Sequence, residues 1–342
     1  MKKNKNLSLG VCMLILLASG WFFGSDNQPF AFAASNDSAA MAHVQGLLKE
    51  AIKDPNPNPV VGIGRGTDYE KVTTQAIENS GGLQDIIKKG DVVLVKPNIC
   101  TLGTPGGPTT TDYRTVQAIV NKVRELGASK IIIAEGPITG NSFDNLNLNE
   151  NKYGTIKDVQ LINLNELKKE ECYKVKPIKS ITGAEFYIPK VFMDADVVIN
   201  VAKMKTHFQP DAVVSLSLKN SFGVPPGIIY GFAYKGDLHE LGLKEAIVDL
   251  NRIRKPDLSV IEGIIGGEGY GPLYNKPVKS NIVLAGKDLV ALDTVALTFM
   301  GFKVTQVPHV ELAGKEKLGI MDLNKIKVVG ADLNSIKMSF NR

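Results

Sequence analysis

Lys203, Lys205 and His207 alternate along one stretch of chain, and Lys219-Asn220 follows twelve residues after the histidine. In an extended backbone, alternate side chains share a face, so these three would present two ammonium groups and an imidazole together. That set suits an anion, either a carboxylate or a metal-bound substrate. A histidine can serve there as acid, base or metal ligand near neutral pH. The competing interpretation is a solvated strand end, because lysine is mostly exposed. The stretch directly follows Val197-Val198-Ile199-Asn200-Val201-Ala202, an apolar run that predicts a buried strand. Open α/β sheets hold ligands just outside the carboxyl ends of their strands, which makes this a binding position. The expected roles are catalytic for His207 and Lys205, with His207 as general acid or base. Lys96, Asn98, Lys203, Lys219 and Asn220 are expected to bind substrate.

A second strand end carries Lys96-Pro97-Asn98, immediately after Val92-Val93-Leu94-Val95. Two residues on, Cys100 is a ligand, a nucleophile or an inert thiol, depending on what lies beside it. Gly103 to Thr111 leads into a helix N-terminus, where backbone donors and hydroxyls suit a phosphate or carboxylate. It lacks the Gly-Lys-Ser/Thr ending of a P-loop, and capping alone explains its threonines equally well. Gly62, Gly64 and Gly66 lie between a strand and a helix but miss the dinucleotide-binding spacing. Downstream lie His239, Asp249, Glu262, Glu268 and Asp293. Glu262 precedes Gly263 to Gly271, which reads as a glycine-rich loop able to approach a ligand closely. Asp293 sits in the apolar run Val290 to Ala296, where a carboxylate must be paired, hydrogen-bonded or ligating. A divalent metal on His239, Glu262 and Asp293 is one expectation, without a recognised ligand spacing. Capping or an ion pair is the other.

The elements that must position these residues alternate between strand and helix. Val60 to Ile63, Asp91 to Val95 and Lys130 to Ala134 predict strands. Tyr69 to Asn79 predicts a helix, and Thr109-Thr110-Thr111-Asp112 caps another with apolar positions from Val116 to Leu126. Val159 to Ile162, Glu185 to Ile188, Leu258 to Ile261 and Ile282 to Ala285 add strands; Leu241 to Leu250 and Leu289 to Met300 add helices. Uninterrupted β-branched runs fit strands buried on both faces. The expected fold class is α/β, a mostly parallel sheet with helices on both faces and a polar insertion around 141–190. The expected organisation is a signal peptide over 1–33, a disordered or short helical leader over 34–59, a domain over 60–330 and a tail over 331–342.

Lys2, Lys3 and Lys5, the apolar stretch from Leu9 through Phe23, and Ala31-Phe32-Ala33 predict a signal peptide cleaved near Ala33. An uncleaved anchor is the alternative, and would be the protein's membrane contact. Cys12 stands at the start of the apolar run, the wrong end for lipidation. Cleavage takes the formal charge from +5 to about +3 and predicts a secreted or extracytoplasmic protein. That bias, without an arginine-rich or aromatic-interleaved face, argues against nucleic acid as a partner. Cys100 and Cys172 could pair but form no disulfide framework. An iron–sulfur cluster needs about four thiolates, so no intrinsic cluster is expected.

Several blocks resemble the domain of unknown function 362 family. They are Gly90 to Asn98, Asp196 to His207, Leu216 to Gly223, Glu268 to Pro272 and Ala285 to Asp293, with Lys-x-Lys-Thr-His and Leu-Lys-Asn the most specific. The resemblance covers Val60 to about Gly330. It implies a common site more than a reaction, since the family has no general assigned activity. Many relatives carry an appended ferredoxin-like module with cysteine-ligated clusters; this sequence shows no cysteine-rich tail of that kind, which argues against an electron-transfer role. Three interpretations stand: an enzyme acting on a small anionic substrate, a non-catalytic binder of an anionic metabolite or metal complex, and a redox partner of an iron–sulfur protein.

Overall fold

The computed structural model describes residues 38–100, 105–138, 152–232 and 234–342. The expected signal segment, the start of the Gly103 stretch and the asparagine-rich part of the insertion lie outside the described residues. In chain order the strands of the main sheet are β1 (Val60–Arg65), β2 (Val92–Pro97), β3 (Lys130–Glu135) and β4 (Gln160–Asn163). A separate hairpin, β5 (Cys172–Val175) with β6 (Phe186–Pro189), occupies the described part of the insertion. The main sheet continues with β7 (Val197–Thr206), the short β8 (Val214–Ser215), β9 (Leu258–Tyr270), β10 (Tyr274–Gly286) and β11 (Lys327–Val329). The longer helices near the amino end are α1 (Ser38–Ala51), α2 (Tyr69–Asn79) and α3 (Tyr113–Glu125).

Across the sheet the order is β11-β1-β10-β9-β7-β2-β3-β4, with β8 attached to β7. The run β9, β7, β2, β3 and β4 is parallel throughout, so all five carboxyl ends emerge at one edge. From β2 the chain moves outward to β3 and β4, then returns to lay β7 on the other side of β2. Such a reversal opens a crevice at the carboxyl ends of the strands.

Strand alternation explains the layers. Val93, Val95, Ile199 and Val201 share a core with Val72 of α2 and Ile119 of α3. Leu94, Val198, Ala202 and Met204 point the other way, against Ile247 and Val295 of the helices Leu243–Asn251 and Leu289–Met300. The α/β class with helices on both faces holds. Gly62 and Gly64 lie within β1 beneath α2, with their β-carbon positions facing its backbone.

Two boundaries differ from expectation. β7 does not end near Ala202 but runs to Thr206, with all ten residues buried. Lys203 and Lys205 are therefore strand residues. Gly263 to Gly271, expected to be a ligand loop, lies mostly within β9, paired with β10. A β-carbon on Gly267 would sit 2.5 Å from the Pro108 carbonyl oxygen, and one on Gly271 would strike the Thr206 carbonyl. The glycines there let neighbouring backbones pass. They are not an opening for a ligand.

The folded body also begins before Val60 and reaches past Gly330. Val44 and Leu48 of α1 are buried in the same core as Ile247, and His43 Nε2 pairs with the Met193 carbonyl at 3.0 Å. At the other end, Phe340 is buried edge-on to Phe299, and its amide donates to the Met300 carbonyl at 2.9 Å. Apolar residues of both segments, Val44, Leu48, Leu333, Ile336 and Phe340, join the core on that face of the sheet. Among the described residues, no helix is long and apolar enough to cross a membrane.

Leu48 is 2% exposed, so Leu48→Ala should cost about 2–5 kcal/mol of stability, as buried leucine truncations do. Urea unfolding of the full chain measures it. A loss below about 0.5 kcal/mol would be that of a surface position and would detach α1 from the core.

Candidate functional site

At the edge where the parallel strands end, charges of opposite sign meet in adjacent strands. Lys203 of β7 lies in register with Glu262 of β9, and their side chains form a fully buried ion pair. Lys96 of β2 pairs in the same way with Glu135 at the end of β3. Each pair is tied further into the backbone. Glu262 accepts from the Ile264 amide at 2.9 Å and the Asp112 amide at 3.3 Å. Lys96 Nζ also donates to the Pro97 carbonyl at 3.2 Å and to Asn220 Oδ1 at 3.3 Å. Buried pairs of this kind tolerate their desolvation only with such additional hydrogen bonds.

Asn220 is a clasp. Its Oδ1 also accepts from Asn98 Nδ2 at 3.1 Å, and its Nδ2 donates to Asn200 Oδ1 at 2.6 Å. Asn200 in turn donates to the Ser217 carbonyl at 3.0 Å and Ser259 Oγ at 3.1 Å. Asp293 holds the same segment from behind. It accepts from the Ser217 amide at 2.8 Å, the Ser217 hydroxyl at 2.6 Å and the Leu218 amide at 3.1 Å. Burial pushes the Asp293 carboxyl up to about 7, against the pull of those donors. The carboxylate in the apolar helix thus fixes Ser217 to Asn220 in place.

Above this frame lies a cavity of about 350 Å³, lined in part by Cys100, Lys205, His207, Lys219, Lys235 and His239. Lys205 Nζ donates to the Thr109 carbonyl at 2.5 Å. Lys219 Nζ lies 5.0 Å over the Phe222 ring. Lys235 is 3% exposed, and its Nζ has no hydrogen-bond partner among the described residues. Its backbone and that of Tyr234 are left-handed, with φ of 50° and 61°, a conformation costly for residues with a β-carbon. The turn swings the Lys235 side chain inward, where a β-carbon on Gly136 would come within 2.7 Å of its Nζ. Gly223 is required similarly, since its β-carbon would lie 2.7 Å from both Glu135 oxygens and from Lys96 Nζ.

Five lysines therefore converge on this edge with two carboxylates, Glu135 and Glu262. The electrostatic result is consistent in sign. Burial first, then the neighbouring Lys205 charge, lowers Lys219 to about 8. Burial lowers Lys235 to about 7, with Glu135 opposing and Lys96 adding to the fall. Lys205 is lowered as well, chiefly by burial. His207 is held neutral by burial and by the Lys219 and Lys205 charges. The Gln209 amide donates to its Nδ1 at 3.1 Å, which assigns the proton to Nε2. His207 is thereby set as a hydrogen-bond donor and is a poor base.

The structure thus sorts the expected residues. Lys205, His207, Lys219, Asn98 and Asn220 come together, with Lys203 at the floor. Lys96 does not face the cavity, because its ammonium is taken by Glu135 and Asn220. The expected metal set is not assembled. His239 lines the cavity with Nδ1 on the Lys235 carbonyl at 3.2 Å, whereas Glu262 is occupied by Lys203 and Asp293 by the Ser217 turn. Among the described residues no group of three histidine, cysteine or carboxylate side chains could hold a metal. Asp249 instead caps Ile181 and Thr182, and Glu268 binds Asn341. The threonines of the Gly103 stretch brace the β2 end: Thr111 Oγ1 accepts from the Asn98 amide, and Thr110 Oγ1 from the Cys100 amide. Cys100 and Cys172 are both buried and unpaired. Glu135 and Lys235 were not anticipated. Glu135 ends a parallel strand, the same signal that marked Lys96. Lys235 stands in a turn without any motif.

The family described as "Domain of unknown function (DUF362)" matches residues 93–298, which include the site's strand ends from β2 to β9. The thylakoid-associated protein sll1697 of Synechocystis sp. is 29% identical over 257 residues, covering 71% of this chain and 73% of that protein. Among solved structures, the lactate racemase apoprotein of Thermoanaerobacterium thermosaccharolyticum aligns with a TM-score of 0.46 and 13% identity over 70% of this chain. A protein from Thermotoga maritima aligns with a TM-score of 0.41 and 13% identity over 73% of it. The chain spans 56% and 60% of the lengths of those two proteins.

The depressed lysines make stability depend on pH. Lys235 sheds its proton near 7 when folded and near the ordinary lysine value of about 10.4 when unfolded. Between those values the unfolded chain binds a proton that the folded chain does not, so stability rises with pH. The slope is about 1.4 kcal/mol per pH unit for each such proton. Lys235→Met should remove that contribution, flattening the stability profile between pH 7 and about 10 relative to the wild type. Urea unfolding across that range checks it; parallel profiles for the two proteins would contradict it.

Proposed function

The chain belongs to the domain of unknown function (DUF362) family, and we propose that it is an enzyme acting on a small anionic substrate held in the lysine cavity. One observation carries this reading: buried Lys205 and Lys235 and half-buried Lys219 bring amino groups to one cavity whose nearby carboxylates, Glu135 and Glu262, are already paired. A buried ammonium without a counter-charge is costly, and an anion within hydrogen-bonding distance restores what desolvation removed. The volume of about 350 Å³ suits a small metabolite. Ile99, Leu216 and Phe222 supply apolar wall, and His207 offers its Nε2–H as a neutral donor.

Lysines whose pKa values fall close to neutrality favour catalysis over storage, because such amines can exchange protons or attack at working pH. A second reading, a non-catalytic binding protein, is favoured by the locked, neutral His207. Incubation with bound candidates separates the two: an enzyme releases altered product, a binding protein returns its ligand unchanged. We infer export from the basic and apolar leader ahead of Ala34. Amino-terminal sequencing of protein from its own host should begin at Ala34, and an intact Met1 end would sink that inference.

Anion binding should take up protons, because the bound charge raises the lysine pKa values. Affinity for malonate or inorganic phosphate should therefore be greatest below about pH 7 and fall as pH rises through Lys235 near 7 and Lys219 near 8. Lys205→Met and Lys219→Met should each weaken binding by about 10-fold or more, the loss expected for a charge-assisted hydrogen bond. Isothermal titration calorimetry provides the measurement. Wild-type affinity in both variants would end the assignment.

A further inference from the structure

We propose that Lys235 is a carbonyl-reactive amine, and that the substrate class is a small 2-oxo acid bound through its carboxylate and attacked at its keto carbon. This rests on the anionic-substrate reading and adds the reacting group to it. The five lysines at the site are not equivalent. Lys96 is paired with Glu135, Lys203 with Glu262, Lys205 donates to Thr109, and Lys219 lies over Phe222. Lys235 alone among them is buried at its Nζ with no hydrogen-bond partner among the described residues. It nevertheless lines the cavity.

An amine in that setting loses its proton readily and keeps its lone pair free, the two requirements of a nucleophilic lysine. The surroundings match an oxo acid. Lys205 and Lys219 are placed for a carboxylate, while His207 Nε2–H can donate to a carbonyl oxygen. Glu135 precedes Gly136, which lies against the Lys235 amine, and its charge acts on Lys235. The left-handed backbone at Tyr234 and Lys235 is the kind of local strain that persists where a functional side chain must be aimed.

The step balances without an oxidant or reductant. The Lys235 nitrogen forms a bond to the keto carbon, giving a carbinolamine. The carbon–oxygen bond then breaks, and the oxygen leaves as water with the two protons the amine gives up. The imine that remains can take one proton from solvent, becoming an electron-withdrawing iminium. That group would ease loss of a proton from the carbon next to the former keto carbon, the electron pair passing toward nitrogen to give an enamine.

The test uses the full chain with pyruvate and sodium cyanoborohydride, followed by intact mass and peptide mapping. Expected is one reduced adduct per chain, mapped to Lys235, suppressed by inorganic phosphate and faster at pH 8 than at pH 6. Lys235→Arg should lose the adduct entirely, while phosphate calorimetry on the wild type reports the anion pocket separately. Pyruvate binding without an adduct, or labelling that maps to other lysines and persists in Lys235→Arg, would overturn the nucleophile while leaving the anion pocket standing. If neither pyruvate nor phosphate binds the wild type, the anionic-substrate reading falls and this inference falls with it.

Discussion

Burying a cation without a counter-charge costs several kcal/mol per ion even after relaxation, and this fold accepts that cost at one edge of its sheet. Five lysines meet two carboxylates there. The two that are neutralised, Lys96 by Glu135 and Lys203 by Glu262, lie in the strand layer. The remaining three face the cavity. The division follows from topology. Because β9, β7, β2 and β3 are parallel neighbours, acidic and basic residues at their ends fall side by side, and the next residues along β7 project beyond them. The paired lysines form a structural floor; the unpaired ones form the working surface.

The excess charge also explains why the polar framework is so extensive. Asn98, Asn200 and Asn220 pass one chain of amide contacts across β2, β7 and the Ser217 turn. Asp293 then anchors that turn from the helix side. A partly satisfied network in a low-dielectric interior would be worse than an apolar core. Here Asn200 and Asn220 use both ends of their amides, and only Asn98 Oδ1 in that chain lacks a partner among the described residues, so lysines that repel one another are held at fixed positions. The glycines at 136 and 223 complete the arrangement by leaving room for the Glu135, Lys96 and Lys235 side chains.

Much of this was legible in the sequence, for identifiable reasons. Period-two alternation placed Lys203, Lys205 and His207 on one face, and apolar runs located most of the strands and the helix Leu289–Met300. Asp293 was conspicuous because a carboxylate in an apolar helix needs partners. What the chain could not reveal locally was which charges would cancel. Lys96 looked like a clamp until Glu135, almost forty residues away, took its ammonium. Glu262 looked like a ligand until β9 came into register with Lys203. Gly263 to Gly271 looked like a loop because glycine is read as flexibility, whereas close backbone approach in a paired strand demands the same residue. Lys235 carried no local signal, since its inward aim depends on a turn and on Gly136, distant in sequence and just past the end of β3.

The pocket faces a conflict between its two tasks, and the arrangement of lysines resolves it. Holding an anion requires protonated amines, while attacking a carbonyl requires a neutral one. A single lysine could not satisfy both at one pH. Burial and repulsion leave Lys219 near 8 and Lys235 near 7, so at neutral pH the first stays mostly charged while the second is divided between its forms. Burial chiefly, and the nearby Lys96 charge in addition, disfavour protonation of Lys235, which keeps that amine reactive. A carboxylate bound between Lys205 and Lys219 would satisfy those two directly, and would leave Lys235, on the Glu135 side, as the amine with no hydrogen-bond acceptor of its own. On this argument the excess of lysines sets two different protonation states in one small cavity.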